Sequence, residues 1–205
     1  MKTTTLAALS TLTLASLASA NILFVTGNTV QIGAPLACGW GQQTGQNAFA
    51  WNERTGVNLF LNVDMINNPG SSTSPTPGTV GGGPFDTHFI HFDSVPGIVQ
   101  AIGTVTFDAP IAAVIFKNTT LDASDGSAGA LGTVYPTGYP FRGLSSTPPS
   151  FFSISGATLS FNFSTIVPSN FVDQVRVITH TVSPSPGSAA LLGLAGVFAA
   201  RRRRH

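Results

Sequence analysis

Between Asn21 and Val182 the chain holds a single glutamate, Glu53, and a single lysine, Lys117. Gly, Pro, Ser, Thr and Asn are abundant there instead. A helix written in this alphabet lacks strong formers and a charged outer stripe. Short strands joined by turns are what such a composition can build.

The patterning agrees. Asn21 to Gly33, NILFVTGNTVQIG, opens with a strand, and NAFAWNE follows a Gly/Gln-rich loop. In VNLFLNVDM, Val57, Leu59, Leu61 and Val63 fall on one face and Asn58, Asn62 and Asp64 on the other, with Phe60 as the exception. Asn67 to Pro84 is a long Gly/Pro/Ser/Thr loop of the kind found on surfaces. FDTHFIHFDSV, AIGTVTFDAP and IAAVIFKNTT read as strands, the last two as an antiparallel pair turning at Asp108-Ala109-Pro110. LDASDGSAGALGTVYPTGYPFRGL reads as mostly irregular, and SFFSISGATLSFNFSTI as a hairpin turning at Ser155-Gly156. In FVDQVRVITHTV, Val175, Val177, Thr179 and Thr181 share one face, with Arg176, Ile178 and His180 opposite. Many short strands with turn signals and no internal helix predict an all-β domain over residues 21–182: an antiparallel β-sandwich, jelly-roll-like.

The two ends are of another kind. MKTTTLAALSTLTLASLASA carries Lys2, an apolar Leu/Ala run and the small-x-small triplet Ala18-Ser19-Ala20. That is the form of a cleaved secretory signal over residues 1–20, with signal peptidase as its partner. At the other end, Ser188 to Ala200 is uncharged, and Arg201, Arg202, Arg203 and Arg204 follow. A helix over this stretch would be apolar all round and roughly 20 Å long, short of the ~30 Å hydrocarbon core of a bilayer. Snorkelling arginines absorb such a mismatch. The positive-inside rule keeps the arginines in the cytoplasm and places the body of the protein on the far side.

Pro184-Ser185-Pro186, the short Gly/Ala/Leu helix and the Arg cluster together resemble the PEP-CTERM sorting signal of bacterial surface proteins, with Ser185 where that family usually has Glu. The resemblance covers residues 183–205. It implies processing near Pro184, Ser185 and Pro186 by an exosortase-type membrane protease, transient membrane anchoring, and association with exopolysaccharide or biofilm matrix. A plain C-terminal anchor or a buried terminal helix are the other readings of the same stretch. The block from about Asp86 to Thr181 also looks like domains recurrent in PEP-CTERM proteins, through GTVTFDAPIAAVI, LDASD, FRGL, ISGATLSFNFS and DQVRVIT in that order. That likeness implies no activity.

Charge narrows the partners. The formal net charge is +1, but five of the nine basic residues lie in the two terminal segments. The middle keeps Arg54, Lys117, Arg142 and Arg176 against all eight acids, a net of −4. Nucleic-acid binding, which needs a basic patch, is not expected. Cys38 stands alone, forms no internal disulfide and reads as a small buried filler.

Candidate sites are few. DTHFIHFD holds Asp86, His88, His91 and Asp93, but period-2 geometry turns the first two away from the last two, so they cannot all meet one ion. LDASDGSAG sets Asp122, Ser124 and Asp125 before a glycine, oxygen ligands suited to Ca²⁺, although the spacing is not that of an EF-hand loop and an Asx turn is the simpler account. Tyr135 and Tyr139, with Arg142 close by, would form a sugar-stacking platform if exposed together, and ordinary loop anchors if not. G-x-S-x-G, H-E-x-x-H, P-loop and G-x-G-x-x-G motifs are missing, and a lone Glu rules out a Glu/Glu glycosidase pair. The expected function is therefore non-enzymatic: an exported cell-surface or matrix protein, structural or polysaccharide-binding. The alternatives are a secreted hydrolase using an Asp pair on extracellular polysaccharide, and a self-assembling adhesive matrix protein.

Overall fold

The computed structural model describes residues 21–95, 100–165 and 170–181. The leader read at 1–20 and the sorting tail read at 183–205 lie outside the described residues. Among the described residues no helix is long and apolar enough to cross a membrane.

The strands in chain order are β1 (Ile22–Gly27), β2 (Thr29–Gln31), β3 (Thr44–Gly45), β4 (Ala48–Asn58), β5 (Leu61–Val63), β6 (Gly70–Ser71), β7 (Gly78–Val80), β8 (Pro84–Ser94), β9 (Gln100–Phe107), β10 (Ile111–Ile115), β11 (Phe151–Ser155), β12 (Thr158–Ser164) and β13 (Asp173–His180). Among the described residues one helix, α1 (Asn118–Ala128), interrupts them. The chain is all-β in character, with mainly antiparallel sheets. A five-stranded sheet runs β1-β9-β12-β11-β6, a six-stranded sheet runs β10-β13-β8-β4-β2, and β5 pairs with β7. Among the described strands β2 pairs with β4 and β3 with β8 in parallel, and the other strand pairs are antiparallel.

Two apolar clusters explain the layering. The first takes Val105 and Phe107 of β9, Leu159, Phe161 and Phe163 of β12 and Phe152 of β11 from one sheet. It takes Ala50 of β4, Ile90 and Phe92 of β8 and Val175 and Val177 of β13 from the other. The two sheets thus form a sandwich-like pair over a shared core, each burying alternate residues. The second cluster lies on the opposite face of the six-stranded sheet, where Trp51, Phe89, Ile115 and Ile178 meet Cys38, Leu121 and Ala128. Both faces of β8 and β13 are therefore covered, which is why these strands are almost entirely buried.

Several expectations hold. The Ser155-Gly156 hairpin forms as β11 and β12. Val175 and Val177 face the inter-sheet core while Ile178 faces the second cluster. Leu59 and Val63 are buried, and Phe60 points out with 86% of its surface exposed, although Leu59 and Phe60 break the predicted single strand in two.

Two expectations are corrected. β9 and β10 are not a hairpin: β9 pairs with β1 and β12, and β10 with β13 in the other sheet. The Asp108-Ala109-Pro110 corner carries the chain between layers, so Phe107 and Ile111 enter the same core from opposite sides. Helix α1 takes both the end of the stretch read as a strand, Asn118 to Thr120, and the start of the segment read as irregular, Leu121 to Ala128. Its composition is poor for a helix, and distant residues hold it. Asp64 accepts hydrogen bonds from the backbone N–H of Phe116 (2.8 Å) and Lys117 (2.9 Å) and from the Thr120 hydroxyl (2.8 Å). A carboxylate at a helix N-terminus satisfies orphan donors and suits the helix dipole. Leu121 and Ala128 then anchor the inner face.

Candidate functional site

The outer face of the six-stranded sheet carries charge where a strand pattern predicts apolar side chains. Arg176 sits on β13 between Val175 and Val177, fully buried. Its Nε and Nη2 donate to the two oxygens of Glu53 at 2.8 and 2.9 Å, and Nη2 reaches Asp125 at 3.2 Å. Nη1 donates to the carbonyl of Leu121 (3.4 Å) and to the hydroxyl of Ser124. Each guanidinium nitrogen thus has an acceptor. The guanidinium also lies 5.1 Å from the ring centroids of Phe89 and Tyr135. Burial alone disfavours its charge, but Glu53 and Asp125 outweigh that and raise its pKa above the ordinary value.

A second guanidinium extends the network. Arg142 donates from Nη1 to Asp122 and Asp125, each at 2.7 Å, and from Nε to Gln174 at 2.9 Å. Gln174 Nε2 donates to the Cys38 carbonyl (2.7 Å) and to Nδ1 of His91 (3.1 Å). Nε2–H of His91 donates to the Gln42 carbonyl at 3.0 Å. This partner set fixes the neutral tautomer, and burial, ahead of Arg142, lowers the His91 pKa to about 4. On the other flank the Tyr135 hydroxyl donates to Glu53 and accepts from Ala130 N–H at 2.9 Å. Burial and then Glu53 push the phenol far above its usual pKa. Gly143, at φ +95°, is forced by this arrangement, since a Cβ there would lie 2.6 Å from the Phe116 carbonyl oxygen.

The structure therefore brings together residues that the sequence assigned to two separate sites. Asp122, Ser124 and Asp125 lie on α1 and hold guanidinium groups in the directions a cation would occupy. Arg142 is their partner. Tyr135 is a half-buried member of the same network, while Tyr139 lies apart from it in a surface aromatic group: its ring is 5.8 Å from Phe141, which is 4.8 Å from Phe171. Among the described residues no group of three His, Cys, Asp or Glu is arranged to hold a metal. The Cys38 thiol is buried, and desolvation, ahead of Glu53, pushes it up to about 12, which removes its nucleophilic form. His88 and His91 point to opposite sides of β8, as period 2 requires: His88 rests on Phe107 and His91 near Trp51.

Glu53, Arg176, Gln174 and His91 were not picked out from sequence as members of one site. The usable signals were the uniqueness of Glu53 and the position of an arginine inside an apolar strand.

The outer face of the five-stranded sheet is chemically the reverse. Register aligns Phe24, Thr106, Thr158 and Ser155 in one row, Thr26, Thr104, Ser160, Ser153 and Ser71 in the next, and Ile102, Asn162 and Phe151 in a third. The outward strand positions carry no ionisable side chain. Hydroxyls pair across strands, Thr26 with Thr104 at 2.7 Å and Thr106 with Thr158 at 3.1 Å, and Gln100 donates to Asn162 at 2.7 Å.

Compared with family models, with curated proteins and with solved structures, the chain matches none. The fold and site define a class in physical terms: a β protein whose two main sheets share a core, with a buried arginine–carboxylate network on the outer face of one and an uncharged, hydroxyl-rich surface on the other.

Proposed function

We propose that this is an exported, non-enzymatic protein of the cell surface or extracellular matrix whose jelly-roll-like sandwich binds polysaccharide. The observation that carries the reading is the outer face of the five-stranded sheet, a broad uncharged surface of Ser, Thr, Asn and Gln. Hydroxyl and amide groups in such an array exchange water for sugar hydroxyls at little cost. The leader and tail patterns supply the export half of the reading, with the tail acting as a PEP-CTERM-like sorting signal.

A catalytic role has less to stand on. Glu53, Asp122 and Asp125 are each bonded to guanidinium groups, and Glu53 is sealed from solvent. A hydrolase needs two carboxylates facing a shared cleft, one of them free to take and give a proton.

The test is a glycan array probed with protein extracted from the cell surface, beside mass spectrometry of the same material. Binding to polysaccharide, a start at Asn21 and loss of the Arg cluster are expected. Retention on no glycan defeats the binding half, and an intact C-terminus in surface material defeats the processing half.

A further inference from the structure

We propose that the outer face of the five-stranded sheet is a docking track for a neutral polysaccharide, laid across the strands along the row Thr26, Thr104, Ser160, Ser153 and Ser71. This rests on the polysaccharide-binding reading above and names its surface and ligand class.

Charge selects the class. The track has no ionisable side chain, so a polyanion or polycation finds no counter-charge there. The domain's net −4 over residues 21–182 further repels an acidic polymer. An uncharged chain is the polymer that loses nothing by this.

Geometry selects the shape. Neighbouring strands lie about 4.8 Å apart, so the row spans roughly 19 Å across five strands. It therefore presents hydroxyls to several consecutive sugar units. Each hydroxyl has one donor and two acceptor sites, so the Thr26–Thr104 bond leaves capacity facing outward. Phe24 borders the row on one side, 55% exposed. Ile102 and Phe151 border it on the other, 52% and 44% exposed. A hydroxyl track with an apolar side chain at points along each border matches a sugar chain, which presents hydroxyl rims and C–H faces.

A second copy of this chain is the competing occupant. The buried centre of a homodimer interface is richer in apolar area than the surface at large. Here the hydroxyl row separates Phe24 from Ile102 and Phe151, so no such centre exists. Each hydrogen bond contributes only about 0.5–1.5 kcal/mol net, so strength comes from many contacts along a polymer.

The test is affinity electrophoresis of the purified full-length protein in gels holding a soluble neutral β-glucan or polygalacturonate. Wild type, Ser160→Arg, Phe151→Ala and the remote surface variant Leu36→Ala are compared, with circular dichroism and urea midpoints as folding controls. The neutral glucan should retard wild type and Leu36→Ala equally, and Ser160→Arg and Phe151→Ala roughly tenfold less tightly. If Ser160→Arg does not fold, Phe151→Ala reads the same face. Equal retardation of all four proteins overturns the track and leaves the polysaccharide-binding reading standing. Tighter retention by polygalacturonate overturns the neutral class. No retention on either, with concentration-dependent assembly in sedimentation, overturns both the track and the reading beneath it.

Discussion

Replacing Arg176 by methionine removes one cation and leaves two carboxylates behind. Asp125 keeps Arg142 as a partner at 2.7 Å. Glu53 does not: its carboxylate is held by Arg176 and by the Tyr135 hydroxyl, and its side chain is fully buried. The cost is therefore dominated by one desolvated carboxylate left with a single donor. Breaking a buried pair in this way costs about 3–5 kcal/mol. Against a typical stability of about 5–15 kcal/mol the variant still folds but melts roughly 10 °C or more lower. Removing both members, Glu53→Met with Arg176→Met, takes away the stranded charge together with its partner. The double variant is then expected to be more stable than the sum of the singles by about 2–3 kcal/mol. Urea unfolding of the four proteins at pH 7 closes the cycle, with unchanged m-values as the check on two-state behaviour. A loss under about 1 kcal/mol for Arg176→Met, or strict additivity in the double variant, refutes the account of this network as a desolvated, mutually dependent unit.

Acid stability should show opposing titrations. Burial lowers His88 to about 3 and His91 to about 4, so the unfolded chain takes up their protons first and stability falls as pH drops below 6.5. Burial raises Asp173 to about 7, against the hydrogen bonds from Ser150, Ser145 and Ser164, so its contribution is full below its unfolded pKa near 3.8 and is lost as pH rises through 7. Between pH 5 and 6 the three groups net roughly one proton, about 1.4 kcal/mol per pH unit, and Asp173→Asn should steepen this to roughly two; an unchanged slope of unfolding free energy against pH contradicts the assignment. Asp64→Ala strips the N-terminus of α1 of three hydrogen bonds and should cost about 2–3 kcal/mol, read as a shifted urea midpoint. Gly143→Ala puts a Cβ on a residue at φ +95° and against a carbonyl oxygen, so a thermal melt should fall by several degrees.

What could be read from sequence was whatever local pattern specifies. The Ser155-Gly156 turn is written in adjacent residues, and the two faces of β13 follow from alternation alone. Pairing across layers is not local: nothing in AIGTVTFDAP says that its neighbours will be β1 and β12 and not the strand after Pro110. Helix α1 was illegible because its support is tertiary, from Asp64, Arg142 and Arg176. The same holds for the ion network. Asp122, Asp125, Tyr135 and Arg142 carry visible chemistry and could be singled out, but as two sites, since only the fold shows that one guanidinium answers both acids. Glu53 and Arg176 lie 123 positions apart, beyond the reach of any motif. The hydroxyl face was foreshadowed only as composition, and it took the register of β1, β9, β12 and β11 to turn scattered Ser and Thr into rows.

The last described strand, β13, is central in its sheet, between β10 and β8. A polypeptide emerging N-terminus first cannot complete that sheet until β13 is free. Until then β8 and β10 have no neighbour between them, and Glu53 has no cation. The six-stranded sheet therefore closes last, after every strand of the five-stranded sheet is already available.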